Sequence, residues 1–399
     1  MTSITTNSQN IPKKYIIKNW DDENLNMKPL LLRGIYAYGF ENPSSIQQQV
    51  LFPMTSRPAK DIIAQAQSGT GKTGAFVTST LQIIDETKNV AQALILAPTH
   101  ELASQSKQVF DDIGRFLKIK TQLLVGGTSV EGNKKNLLEN TPHVVIGTPG
   151  RVHDMFRRKY LNPTTINLLV IDEADEMLSS GFKEQMYKIF QYMKNDIQIG
   201  LFSATMPDDL QDLTSKFLRH PIKILVQAEQ LTLQGIAQYY INLEDDVQKY
   251  DTLKDLFSSL TVSQAIIYCN STRRVDDLQE AMLSDNFPVE KIHGKMADED
   301  RKKTHKNFKT GGCRVLITSD LFARGIDVQQ VSIVINFDIP RSEHTYLHRI
   351  GRSGRWGRKG IAINFQTKHD ATRLKKFEDY YQTQITEMPC NYTEHLGLN

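Results

Sequence analysis

Gly71-Lys72-Thr73 closes the stretch Ala66-Gln67-Ser68-Gly69-Thr70-Gly71-Lys72-Thr73, which follows the strand-like run Asp61-Ile62-Ile63-Ala64-Gln65. Small residues at such a turn let backbone N–H groups wrap phosphate oxygens, and a helix starting at the end of the turn adds its dipole. Lys72 would reach the outer phosphates of a nucleoside triphosphate, and Thr73 would offer its hydroxyl to Mg2+. The first position of the general pattern is Ala66 rather than glycine, so an ordinary Gly-rich strand–helix turn is the competing reading. Further on, Leu168-Leu169-Val170-Ile171 runs into Asp172-Glu173-Ala174-Asp175. Asp172 stands where a carboxylate would hold Mg2+, and Glu173 where a base would orient the attacking water. Acids also suit the first turn of a helix, but three carboxylates in four residues exceed what capping requires. The chemistry expected of the two stretches together is hydrolysis of a nucleoside triphosphate.

Such residues need rigid strands ending beside helix starts, and the chain supplies both. Short apolar runs recur at Asp61–Ile63, Ala93–Ala97, His143–Gly147, Leu168–Asp172 and Ile199–Ser203, and again at Gln264–Tyr268, Arg314–Thr318, Ser332–Asn336 and Ile361–Phe365. Between them lie windows of helical period, such as Leu102, Val109, Ile113 and Phe116, or Val275, Leu278 and Met282. Continuous apolar strands alternating with amphipathic helices imply parallel sheets covered on both faces, hence an α/β fold. The polar stretch Val226–Gly235 separates the two series. The expected organisation is a loose tail over 1–19, a first domain over 20–225, a linker over 226–235 and a second domain over 236–399. A cleft between two such domains is the default place for a ligand.

Composition narrows the class. The 399 residues are 39% hydrophobic and 8% aromatic, enough for packed cores and against a disordered chain. No apolar run approaches the roughly 18 residues of a bilayer span. The polar start, Met1–Asn10, lacks the apolar stretch of a secretion signal. Cys269, Cys313 and Cys390 are too few and scattered for a disulfide framework or zinc cluster. A soluble intracellular protein without a membrane partner is expected. The 48 Lys and Arg against 45 Asp and Glu give a net charge of +3, so a nucleic acid would be gripped by local geometry rather than by a broad positive field.

The tetrapeptide Asp172-Glu173-Ala174-Asp175 resembles the signature of the DEAD-box ATP-dependent RNA helicases, and other stretches resemble that family's motifs in order. Gly39-Phe40-Glu41-Asn42-Pro43-Ser44-Ser45-Ile46-Gln47 is similar to its glutamine motif. Pro98–Ala103, Gly126-Gly127, Thr148–Arg151 and Ser203-Ala204-Thr205 follow. Thr318-Ser319-Asp320, Ala323–Asp327 and His348–Arg355 complete the set in the second half. The resemblance runs from about Trp20 to the C-terminus and is strongest to the initiation factor 4A branch, as in Arg33–Phe40. It implies two tandem RecA-like domains, ATP with Mg2+, and RNA. By the same likeness Gln47 reads adenine and Trp20 stacks on the base, Asp327 accepts from the ribose, and Arg352 and Arg355 are arginine fingers from the second domain. The two arginines lie three apart at an expected helix start, which would point them the same way. His348 and Arg349 would tie that motif to Ser203, Thr205 and the acids. RNA contacts implied are Pro98, Thr99, Gly127, Thr148, Arg151, Gly294, Arg301 and Thr318, mostly through backbone turns that carry no sequence information. His293 is read instead as a core or backbone-capping histidine.

Several positions depart from the family pattern. His100 replaces an arginine, Lys295 an aspartate, Asp298 a glutamine and Tyr268 a phenylalanine, and Thr272-Arg273-Arg274 is shifted. All touch the RNA grip rather than the ATP site, so intact hydrolysis with altered RNA coupling is expected. The resulting expectation is a monomeric, cytoplasmic RNA helicase that unwinds short duplexes with a scaffold or activating protein, in translation initiation. An ATP-locked RNA clamp inside a ribonucleoprotein complex is the alternative.

Overall fold

The computed structural model describes residues 16–66, 69–178, 181–225, 235–259, 264–320, 331–353 and 360–389. The chain divides into two compact units, Met1–Gln227 and Ala228–Asn399. The first opens with α1 (Pro29–Tyr38) and α2 (Ser45–Thr55), followed by β1 (Ile62–Gln65), α3 (Lys72–Ile83), β2 (Ala93–Leu96) and α4 (His100–Ile113). Next come β3 (Thr121–Leu124), α5 (Val130–Glu139), β4 (Val144–Gly147), α6 (Pro149–Arg157) and β5 (Leu168–Ile171). The unit closes with α7 (Ala174–Met177), α8 (Lys183–Phe190), β6 (Gln198–Ser203), α9 (Asp208–Phe217) and β7 (Ile222–Leu225). All seven strands are parallel, in the order β3-β4-β2-β5-β6-β1-β7.

The second unit runs β8 (Ile236–Leu243), α10 (Asp246–Ser259), β9 (Gln264–Cys269), α11 (Thr272–Ser284), β10 (Glu290–Ile292) and α12 (Asp298–Lys309). Then follow β11 (Val315–Ser319), β12 (Val331–Asn336), α13 (Glu343–Ile350), β13 (Gly360–Thr367), α14 (Ala371–Tyr381) and β14 (Thr386–Glu387). Its sheet is also parallel and seven-stranded, in the order β10-β11-β9-β12-β13-β8-β14.

Successive residues of these fully apolar strands point to opposite faces, so each strand feeds two cores. Ile62, Ala64, Ile95 and Val170 pack with Leu31, Val50, Phe76 and Phe110 on one face of the first sheet. Ile63, Leu94, Leu169 and Ile171 pack with Val152, Met155 and Met186 on the other. Ile267, Ile317 and Ile335 against Tyr268, Leu316 and Val334 repeat the division in the second sheet. Helix starts are set by side-chain caps: Thr99, Ser129, Ser271 and Ser342 each accept a backbone N–H three residues on. Among the described residues no helix is long and apolar enough to cross a membrane.

Two local expectations need correction. Phe116 does not extend the apolar face of α4, because the helix stops at Gly114 and Phe116 instead takes the Arg33 guanidinium 4.3 Å above its ring. Arg352 is not at a helix start: α13 ends at Gly351, and the Arg352 Nε donates back to the His348 carbonyl at 3.1 Å.

Candidate functional site

A chain that ends parallel strands side by side lines up their following turns along one sheet edge. At the β1 end, Ala66 N–H donates to the Ser203 carbonyl of β6 at 3.0 Å. The turn continues through Gly69 and Gly71, both at positive φ (85° and 101°), and α3 begins at Lys72. A Cβ on Gly71 would stand 2.7 Å from Ser44 Oγ and 2.9 Å from Gln47 Nε2 and would displace those side chains, while the positive φ itself favours glycine. Thr70 and Thr73 flank the turn half-buried. Lys72 is buried, and its Nζ donates to the Ala66 carbonyl at 2.6 Å, curling the side chain over the turn it follows. Gln67 and Ser68, expected in this loop, lie outside the described residues.

Asp172 and Glu173 follow β5, which neighbours β6 and thus lies two strands from β1. Both are buried. Burial, reinforced by the Glu173 carboxylate, pushes the Asp172 carboxyl up to about 7, with the Lys72 ammonium pulling the other way. A buried carboxyl beside a second one and opposite a lysine is a donor set suited to a small hard cation and phosphate. Glu173 holds a left-handed backbone (φ 48°), a conformation that costs free energy for a residue with a side chain and gathers at functional sites. Asp175 lies one turn on. Its Oδ2 accepts from Thr205 Oγ1 at 2.7 Å, while Ser203 Oγ accepts Asp175 N–H at 3.3 Å and donates to the Thr205 carbonyl at 2.7 Å. Ser203 and Thr205 therefore lock the β6 end to the acidic turn.

Gln47 belongs to the same site. Its Oε1 accepts the Ser44 N–H at 2.7 Å, and its Nε2 donates to the Gly71 carbonyl at 3.2 Å, joining the start of α2 to the glycine turn. Trp20 is a correction. It is completely buried, stacked on Phe40 with ring centroids 6.0 Å apart, and no face is open to a base. Half-buried Phe40 stands where a Cβ on Gly74 of α3 would meet its ring at 2.8 Å. The sequence alone gives Phe40 no role beyond its place in the Gly39–Gln47 motif. Its position directly before the Gln47 segment was the available signal.

The other half of the same sheet edge carries the expected nucleic-acid contacts. Pro98-Thr99 follows β2, Gly126-Gly127-Thr128 follows β3, and Thr148–Arg151 follows β4, three adjacent strands. Pro98 and Thr99 are buried and Thr99 caps α4, so this turn presents backbone. Gly127 is exposed with φ 77°, and Thr148 precedes α6 without capping it. Arg151 Nη1 donates to Thr128 Oγ1 at 2.9 Å and Nη2 to its carbonyl at 2.8 Å, fixing the glycine turn. Thr128 was missed, since nothing in a lone threonine signals it.

In the second unit Gly294 is exposed, and Arg301 Nη1 lies 3.5 Å from its carbonyl. Thr318 is a correction: it is fully buried, and its hydroxyl donates to the Ile292 carbonyl at 2.8 Å, inside the sheet. The Arg349 guanidinium is taken up within its own unit, by Asp320, Asn336 Oδ1 (3.2 Å), the Asp338 carbonyl (2.7 Å) and Asn270 Oδ1 (2.7 Å). Sequence reasoning missed Asn270 and Asn336, whose importance lies only in what they surround. His348 and Arg352 are buried. Arg355 and Asp327 lie outside the described residues, as does the Asp298 side chain. His293 is buried, with Nε2 2.9 Å from Asp276 Oδ1 and Nδ1 accepting the Lys295 N–H at 3.3 Å, as a backbone-capping histidine does.

The chain matches the DEAD/DEAH box helicase model over residues 44–213 and the helicase conserved C-terminal domain over 248–357. It is 50% identical over 391 residues to the ATP-dependent RNA helicase eIF4A of Neurospora crassa, covering 97% of this chain and 98% of that one. Eukaryotic initiation factor 4A of Caenorhabditis elegans is 51% identical over 374 residues, covering 94% and 92%. Among solved structures, Saccharomyces cerevisiae Dbp5 bound to RNA and ADP BeF3 superposes with a TM-score of 0.87 at 34% identity, covering 95% of this chain and 98% of Dbp5. Dbp5 bound to Gle1 superposes at 0.76 and 34% identity, over 96% and 97%.

Proposed function

The chain belongs to the DEAD/DEAH box helicases and is an ATP-dependent RNA helicase of two tandem RecA-like units, within which we propose the following division of labour. The turn from Ala66 to Thr73 holds the ATP phosphates, with Lys72 leaving the Ala66 carbonyl for the outer phosphates. Gln47 relays the state of the Gly71 turn to the adenine side, and Phe40 replaces Trp20 as the ring beside the base. Asp172 and Thr73 would hold Mg2+, which when bound neutralises phosphate charge. Glu173 orients the attacking water, while Arg352 and Arg355 bring positive charge from the second unit to the γ-phosphate. Ser203, Thr205 and Asp175 carry the nucleotide state along the sheet edge toward the RNA turns. Those turns, at Pro98, Thr99, Gly127, Thr148 and Arg151, with Gly294 and Arg301, grip phosphate and ribose. A grip of that kind predicts little base preference and a preference for RNA over DNA.

The single observation that carries this reading is the shared sheet edge: β1, β6 and β5 end in the ATP residues, and β2, β4 and β3 end in the RNA turns. The eIF4A relatives support a role in translation initiation, which would place the protein in the cytoplasm. That a protein partner works with it is supported by Dbp5 bound to Gle1, and the protein itself is proposed to act as a monomer. Steady-state ATPase activity with single-stranded RNA, the same length of DNA, or neither tests it. RNA is expected to stimulate strongly and DNA not, with Glu173→Gln lowering stimulated turnover by about 10²-fold or more. Equal rates with and without RNA would overturn it.

A further inference from the structure

Surface lysines on helices of this protein generally find acids one turn away: Lys107 pairs with Asp111, Lys134 with Glu131, Lys188 with Glu184 and Lys375 with Glu378. Helix α12 breaks that habit. Its acids, Asp298, Glu299 and Asp300, are confined to the first turn, and the remainder reads Arg301-Lys302-Lys303-Thr304-His305-Lys306-Asn307-Phe308-Lys309. Phe308 is fully buried against the sheet, and Asn307 Nδ2 donates to Glu290 Oε1 on β10, which fixes the inner face. Lys302, Lys303, Lys306 and Lys309 are exposed, and among the described residues none makes an ion pair. Lys306 has Lys302 four residues before it, Lys303 three before and Lys309 three after, so every charged neighbour along its stripe is of like sign. Like charges at that spacing destabilise a helix. Lys295, beside Gly294 in the turn before the helix, is exposed as well.

We propose that this lysine face of α12 is a second RNA-binding surface, which holds phosphates of the strand flanking the segment gripped at Gly294 and Arg301. The proposal rests on the RNA-helicase reading and adds a site to it. From Lys302 to Lys309 the helix rises about 10 Å, enough to follow about three phosphates of a stacked strand. Arg301 turns back to the Gly294 carbonyl at the head of the same helix. Beyond the acids of the first turn, an RNA leaving that grip therefore meets a run of exposed lysines, not a neutral wall. Lysines on flexible stems suit phosphate as mobile point charges without base readout.

The test compares the full chain with the triple variant Lys302→Gln, Lys306→Gln, Lys309→Gln, which removes charge while keeping good helix formers. Binding is measured by anisotropy across a salt series with an RNA of about six nucleotides, within one compact single-strand site, and one of about twenty. With the long RNA the slope of log affinity against log salt should fall by about two, three lysines at about 0.7 each. With the short RNA both slope and ATPase stimulation should be unchanged. An unchanged slope on the long RNA overturns the proposal, and so does an equal fall on both RNAs, which would make the lysines part of the central grip. Absence of RNA stimulation in the unsubstituted chain would instead sink the helicase reading, so the two failures are separable. A second triple variant to Arg, which should keep the full slope, guards against a folding artefact.

Discussion

Arg349 is 1% exposed, and its guanidinium ties together the ends of three strands: Asn270 after β9, Asp320 after β11, and Asn336 with the Asp338 carbonyl after β12. Five donors in a rigid fork are matched by five acceptors, and the Tyr268 ring lies 5.1 Å beneath the guanidinium. No lysine reproduces that fork. Arg349→Ala should destabilise the second unit by about 3 kcal/mol, the low end for breaking a buried ion pair, because Asp320 keeps 37% of its side chain in water. Urea denaturation would measure it, and hydrogen exchange should show lost protection in β9, β11 and β12 with the first unit unchanged. A loss of ATPase with stability intact would instead place Arg349 in the catalytic relay. Lys72 differs in kind: it is held by a single carbonyl and can be redirected, whereas Arg349 has nothing left to give.

Elements position these groups through close approaches that a side chain would spoil. Gly34 lets α1 cross α4 so tightly that a Cβ would stand 1.9 Å from the Ile113 carbonyl oxygen. Gly34→Ala must push the helices apart, at about 1–3 kcal/mol in stability. Because α1 runs directly into the Phe40–Gln47 segment, KM for ATP should rise in that variant while kcat holds; a normal KM in a destabilised protein would show that α1 does not set the adenine side. The nine apolar runs named from sequence all form strands, since burial on both faces demands continuous apolar residues. β3, β7, β8, β10 and β14 escaped notice. β3, β7, β10 and β14 are two to four residues long, and β8 (IAQYYINL) mixes polar and apolar residues because it is half-covered.

At the scale of the molecule, the ATP carboxylates and the arginines assigned to the γ-phosphate belong to different compact units, with Asp172 and Glu173 in one and Arg352 in the other. Residues 1–227 expressed alone should therefore bind ATP through the Ala66–Thr73 turn yet turn it over at least about 10³-fold more slowly than the RNA-stimulated full chain. RNA-stimulated hydrolysis by that piece at the full rate would remove the second unit from the chemistry.

The linear order of residues was sufficient for the fold class and for much of the ATP site, because phosphate-binding turns and strand-end carboxylates are local: Gly71, Lys72, Asp172 and Glu173 act within a few bonds of the elements that carry them. Membership of the family was legible for the same reason, each motif being a contiguous turn. Only the tertiary structure decided which side chains face outward. It buried Trp20 against Phe40, sank Thr318 beneath Ile292, spent Arg349 on four partners up to 79 residues away, and, among the described residues, left the lysines of α12 without an ion pair. Burial and pairing depend on residues distant in the chain, and spacing along one strand or helix carries no record of what packs on it.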